Sequence, residues 1–137
     1  MEEYRTNHLA VWILVIVNQL LGVVWYSKLA FGRLWMELLG ANAADFTSTS
    51  ILPYLLSIAS AVLIAYTFAW LFKRLNVVTW VDGLRIALRF WLVFAFLVGW
   101  VHAAFAMRPF GLIAIDMGRE FVNFGLIGVV LGEWKRK

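Results

Sequence analysis

Four long apolar runs, each broken by only a few polar residues, set the organisation of this chain. The first covers 9–26, with Asn18 and Gln19 as its interruptions, and meets the minimum length for a helix that crosses a bilayer. The second, 51–72, is cleaner. It follows Thr47, Ser48, Thr49 and Ser50, hydroxyls suited to capping a helix, and Pro53 falls in its first turn, where a missing N–H costs little. The third covers about 84–107, with Asp82 as a candidate cap and Arg85 and Arg89 near its start; the fourth covers about 110–134. Only Arg108 and Pro109 separate these last two, which predicts a tight helical hairpin. Residues 27–40, SKLAFGRLWMELLG, are too polar to cross a membrane and too apolar to float free, and read as an interfacial amphipathic helix. Residues 73–83, KRLNVVTWVDG, read as a short turn. The expected fold is all-α: a single transmembrane domain over 1–137, with four transmembrane helices and an interfacial helix after the first.

Composition supports this pattern. The chain is 64% hydrophobic and 15% charged, whereas a soluble domain is nearer half apolar and a quarter charged. One small globule cannot hide that excess, so the lipid bilayer is the expected covering. The net charge of +4 raises nucleic acid as a partner, but the basic residues sit at the edges of the apolar runs and form no continuous stripe, which argues against it. The absence of cysteine excludes disulfides and thiolate chemistry. The N-terminus, MEEYRTNH, is mixed in charge, and no small-residue cleavage site follows the first apolar run, so that run is expected to stay as a helix.

Orientation follows from the Lys and Arg bias. Arg5, Lys73, Arg74, Arg85, Lys135, Arg136 and Lys137 fall on one side, against Lys28, Arg33 and Arg108 on the other. The richer side is expected to be cytoplasmic, which places both termini inside a multi-pass protein of the inner (plasma) membrane. Trp70, Trp80 and Trp134 would mark the inner boundary and Trp25 and Trp35 the outer one.

Gly22, Trp25, Tyr26, Ser27, Phe31, Gly32, Trp35 and Gly40 form the pattern GVVWYSKLAFGRLWMELLG. This segment resembles the signature of domain-of-unknown-function family 1761, and the rest of the chain agrees with that family in its layout of four hydrophobic segments. The resemblance implies small four-helix membrane proteins and supplies no mechanism. Physically, the segment suits a helix end at the interface, with aromatics at headgroup depth and Gly32 allowing a turn or close backbone approach. An anchoring corner and a contact for substrate or lipid are the two roles it could serve.

The fourth span carries Asp116, Arg119, Glu120 and Asn123 on one helix face. Charges near a span's centre cost roughly 3 kcal/mol each, about 9 for three, and the apolar residues around them return only about 4–7. This span needs partners, either Asp116 with Arg119 in the same helix or groups on neighbouring helices. By helix rise, Asp116 and His102 should be nearly level across the hairpin, and Asn18, Gln19, Ser57 and Ser60 should lie at the same depth, roughly 10–14 Å below the outer surface. A polar layer is expected. It is either a satisfied network that holds the helices in register or the lining of a water-filled path.

His102, alone among apolar residues, is more often a hydrogen-bonded packing residue than a ligand or relay. His8, at the cytoplasmic edge, is the only other histidine and is too distant in depth to flank one haem iron with it. No metal-ligand cluster, nucleophile motif or cofactor signature appears. Gly111, Gly118, Gly125 and Gly132 recur every seven residues, with Gly128 adding a GxxxG step. That stripe invites close helix packing, either within the chain or in a homo-oligomer. Three functions fit these residues: an oligomeric transporter or channel for a proton, ion or small polar solute; a non-conducting scaffold for another membrane protein; and, lacking any reactive motif, a membrane enzyme on a lipid-soluble substrate.

Overall fold

The computed structural model describes residues 4–40 and 50–135. Thr47, Ser48 and Thr49 of the expected cap, and Arg136 and Lys137 of the basic count, lie outside the described residues. Five helices and no β-strand occur among the described residues: α1 (His8–Trp25), α2 (Gly32–Leu39), α3 (Leu52–Arg74), α4 (Trp80–Phe105) and α5 (Phe110–Glu133).

Local chemistry sets the ends. Asn7 starts α1 by accepting the Ala10 N–H at 3.2 Å, and its amide donates to the Trp134 carbonyl at 3.3 Å, tying the start of α1 to the end of α5. Ser50 Oγ accepts the Leu52 N–H at 3.3 Å at the start of α3. Both α3 and α4 end in Schellman motifs, with a left-handed residue just past the helix. After α3 it is Asn76 (φ 52°), with the Val77 N–H returning to the Phe72 carbonyl at 2.9 Å; after α4 it is Met107 (φ 53°), with the Arg108 N–H returning to Ala103 at 2.9 Å.

The third long helix begins four residues earlier than expected, and Asp82 is not its cap. Thr79 is the cap: its Oγ1 accepts the Asp82 N–H at 3.2 Å and donates to Asp82 Oδ2 at 2.9 Å, which orients the hydroxyl. The turn expected over 73–83 shrinks to the residues between Arg74 and Trp80. A second departure is the π-helical stretch Trp91–Leu97 inside α4. Its looser winding turns everything beyond Leu97 back around the axis, relative to where an unbroken α-helix would put it.

Helices α1, α3 and α4 are long and apolar enough to cross a membrane. The 24-residue α5 has the length, but Asp116, Arg119 and Glu120 in its middle set it apart from these three by composition. The expectation of four spans is therefore met by three helices on length and composition. The position of α5 bears on this difference, because it contacts α1, α2, α3 and α4. Its closest neighbour is α4: a Cβ added at Gly83 would lie 2.1 Å from the Gly128 carbonyl oxygen, and one at Gly132 would lie 2.7 Å from that of Thr79. Only glycine lets two backbones come so near.

The apolar core lies at the end where α1 and α4 begin and α3 and α5 finish. Val11, Leu14, Phe68, Phe72, Ile127 and Leu131 fill it, and the Phe68 ring meets those of Phe72, Phe90 and Phe124 edge-on. Outside this core the surface is strongly apolar: Leu63 is 68% exposed, Phe94 66% and Phe105 86%. A patch this extensive suits lipid rather than water.

Candidate functional site

The far end of the bundle is polar, and it is assembled by the corner after α1. Ser27 Oγ donates to the Val24 carbonyl at 2.7 Å and accepts the Leu29 N–H at 3.2 Å, and the Gly32 N–H returns to the Ser27 carbonyl at 3.1 Å. A Cβ at Gly32 would sit 2.4 Å from the Tyr26 carbonyl oxygen, so no other residue fits this bend. The corner folds α2 back over α5, and α2 closes on Gly40 in the left-handed region (φ 71°). Two aromatic donors thereby converge on one carboxylate oxygen: Tyr26 Oη donates to Asp116 Oδ1 at 2.6 Å and Trp35 Nε1 to the same atom at 3.0 Å. Trp25 Nε1 donates to the Ile115 carbonyl at 2.9 Å, and its ring packs on Phe31 at 4.8 Å between centroids.

One turn further along α5, Arg119 crosses to α1. Its Nη2 donates to the Asn18 side-chain oxygen at 2.9 Å and to the Asn18 carbonyl at 3.1 Å, while Nη1 pairs with Glu120. The guanidinium lies against Gly22, where an added Cβ would be 3.2 Å from Nη2. On the neighbouring face Ser57 Oγ donates to Gln19 Oε1 at 3.2 Å. Two buried donors, Gln19 Nε2 and Arg119 Nε, have no hydrogen-bond partner among the described residues. An open cleft of about 480 Å³ lies beside them between α1, α3 and α5, lined by Gln19, Gly22, Tyr26, Pro53, Ser57 and Arg119, with Tyr54 also on its wall.

The expected layer is thus assembled in part. Asn18, Gln19, Ser57, Arg119 and Glu120 meet, and Asp116 is held beside them. Arg119 does not pair with Asp116 as the helix spacing suggested; Asn18 offers it two oxygens across the groove that Gly22 leaves open, and Asp116 turns to α2 instead. Ser60 faces outward and donates to the Leu56 carbonyl at 2.7 Å. His102 is exposed beyond the π-helical stretch and makes no hydrogen bond to the layer among the described residues. Asn123 is buried, 4% exposed, and no described hydrogen bond joins it to the cluster.

Two connections lay outside the reading from sequence. The aromatic corner and the charges of α5 form one structure, with Trp25, Tyr26 and Trp35 bonded to α5 rather than reserved for headgroups. The only signal for it was their common end of the bundle. The glycine stripe is also taken up within the chain: Gly111 faces Leu38, Gly118 faces Trp25, Gly125 faces Leu84, and Gly128 and Gly132 face α4. It supplies no argument for a homo-oligomer.

The fold and site define an all-helical protein in which three helices can cross a membrane and a fourth, charged one is enclosed by its neighbours. The chain belongs to the family described as protein of unknown function (DUF1761), matching it over residues 9–132. No curated protein and no solved structure matches the chain.

Proposed function

We propose that this is a four-span integral membrane protein of the inner membrane, with both termini cytoplasmic, that binds a small polar solute in the cleft between α1, α3 and α5 and carries it across. The fourth span is α5, its charges shielded because α1 and α2 present Asn18, Tyr26 and Trp35 to them. The observation that carries the reading is the cleft itself, an open volume of about 480 Å³ beside two buried donors with no hydrogen-bond partner among the described residues. Such donors cost about 1–3 kcal/mol each when left unmade; both atoms are covered, so a ligand bearing acceptors recovers that cost once the Gln19 or Arg119 side chain turns into the cleft. A carrier fits better than an open pore, since the packed core of Val11, Leu14, Phe68, Phe72 and Leu131 closes the other end. A site open to one side and sealed from the other is one state of alternating access.

The scaffold reading draws on a different observation: Asp116 and both Arg119 Nη atoms are already satisfied, as in a network that only holds helices together. Single cysteines discriminate the two, because the native chain has none. Carriage predicts that Gln19→Cys and Ser57→Cys react rapidly with a membrane-impermeant maleimide added from outside, that Val11→Cys stays protected, and that Asp116→Asn or Glu120→Gln abolishes solute flux in proteoliposomes without unfolding. Protection of both cleft cysteines, or flux unchanged in both carboxylate variants, would leave the scaffold reading.

A further inference from the structure

If the cleft between α1, α3 and α5 is a solute site, its charges narrow the solute. Among the described residues that line it, Arg119 is the one charged side chain, and no carboxylate is part of the lining. A cation entering the cleft meets only like charge, whereas an anion meets a guanidinium. That guanidinium is already engaged: Nη2 donates to the side-chain oxygen and the carbonyl of Asn18, and Nη1 pairs with Glu120. Asp116, one turn before, gives its Oδ1 to Tyr26 and Trp35. Counted as ionised, Asp116, Arg119 and Glu120 together carry one net negative charge before any ligand arrives.

Charge balance then selects the cargo. An anion alone would add a second uncompensated negative charge, which is costly within a membrane span. An anion with one proton leaves the count unchanged, provided the proton neutralises the carboxylate that holds Arg119. Glu120 is that carboxylate: once neutral it releases Nη1 from the ion pair, while the Asn18 bonds still hold the guanidinium at α1. Water reaches it, since 24% of its side chain is exposed, against 14% for Arg119. The surrounding helices offer other titratable groups in different settings. Tyr26 of α1 is bonded to Asp116, His8 of α1 and Tyr66 of α3 bond each other at the opposite end of the bundle, and Tyr54 of α3 stands on the cleft wall. Arg33 and Glu37 of α2 and Arg89 and His102 of α4 are exposed. With about 480 Å³ of open volume and Val23, Pro53 and Tyr54 along its sides, the cleft has room for an organic body behind the charged head. A dianion would again leave one charge uncompensated.

We propose that the cleft takes a small organic monoanion together with one proton, the anion at the Arg119 guanidinium and the proton on the Glu120 carboxylate. The proton comes from water and forms an O–H bond on Glu120; the anion takes the place of that carboxylate beside Nη1, and no other bond changes. Benzenesulfonate is the probe, because it stays ionised at working pH and cannot carry the proton itself. Methyl phenyl sulfone is its neutral counterpart. Isothermal titration of the full chain in a neutral maltoside detergent, repeated in buffers of different ionisation enthalpy, counts the protons taken up per anion bound. The expected result is about one proton per benzenesulfonate, with binding tightening about tenfold for each unit the pH falls while Glu120 is ionised in the free protein. Glu120→Gln should bind benzenesulfonate with no proton uptake and without that pH dependence, and Ser57→Trp, which fills the cleft, should bind neither probe. Binding without proton uptake, equal binding of the sulfone, or uptake that survives in Glu120→Gln overturns the proposal and leaves the solute site standing. No binding of either probe, or binding unaltered in Ser57→Trp, overturns the proposal and the solute site together. If Glu120→Gln fails to fold, the proton count and the sulfone comparison on the native chain still decide.

Discussion

Alanine at Gly83 would place a methyl group 2.1 Å from the Gly128 carbonyl oxygen and 2.9 Å from the Gly132 Cα. Both are backbone atoms inside α5, so neither can swing aside as a side chain could. Helices α4 and α5 must part by about 1 Å before the contact is tolerable, and overpacking of this kind costs about 1–3 kcal/mol. Alanine's higher helix propensity returns up to about 1 kcal/mol, leaving a net loss of about 0–2 kcal/mol. Gly125 is the control, on the same seven-residue stripe. A Cβ there meets only Leu84 Cδ1, at 3.7 Å, an ordinary contact. Gly125→Ala should therefore be neutral or stabilising by about 0.5–1 kcal/mol. Equilibrium unfolding in mild detergent reads both variants, with size-exclusion chromatography alongside. If Gly125→Ala is the more damaging, or if it alone lowers the apparent mass, the stripe faces a second copy and the intramolecular reading of the glycines is wrong.

Asp116→Leu removes the acceptor of two hydrogen bonds to a charged group, worth about 1.5–3 kcal/mol each, but on the four-span reading also relieves a half-buried carboxylate of about 3 kcal/mol. Stability should fall only modestly while hydrogen exchange over Gly32–Leu39 speeds up; α2 protection equal to wild type would show that the Tyr26 and Trp35 bonds do not hold it. Asp116→Asn, which keeps an acceptor oxygen, should retain that protection. Met107→Gly should raise stability by about 1 kcal/mol by relieving a left-handed non-glycine residue, and Thr79→Ala should lower it by about 1 kcal/mol through the lost cap; thermal melts check both. Lys135 titrates below its ordinary 10.5 in the folded chain. Between its folded and unfolded pKa values the unfolded chain binds more protons, so stability should rise with pH through that window. Lys135→Gln should flatten that rise in pH-dependent melts.

The long elements were legible because each is an apolar run ended by recognisable chemistry, such as Ser50 before Leu52 and Arg108-Pro109 after α4. The start of α4 was misread because Asp82 has a capping side chain, while Thr79 forms the cap and Asp82 is its partner. The π-helical stretch Trp91–Leu97 left no trace in composition, and with it went the placement of His102, whose depth could be counted but whose face could not. Depth set Asn18, Gln19 and Ser57 level with Asp116, and these lie together in the structure, but it also set Ser60 and His102 there, which face outward. It could not say that Asp116 would turn from Arg119 to Tyr26 and Trp35, because that choice depends on a corner fixed by the missing Cβ of Gly32. Spacing likewise revealed the glycine stripe without revealing which neighbours fill it.

The central place of α5 also bears on how the protein is made. It is the last of the described helices to leave the ribosome, and on the four-span reading it is the one least able to partition into lipid alone. By then Asn18, Tyr26 and Trp35 have already been synthesised, so the groups that accept its charges precede it into the membrane. On that reading, integration of α5 is a docking event onto an earlier assembly rather than an autonomous insertion. Damage to the Asn18–Arg119 contact should then surface during biogenesis, as chains whose C-terminal segment is left on the wrong side of the bilayer, before it registers as a weaker finished fold.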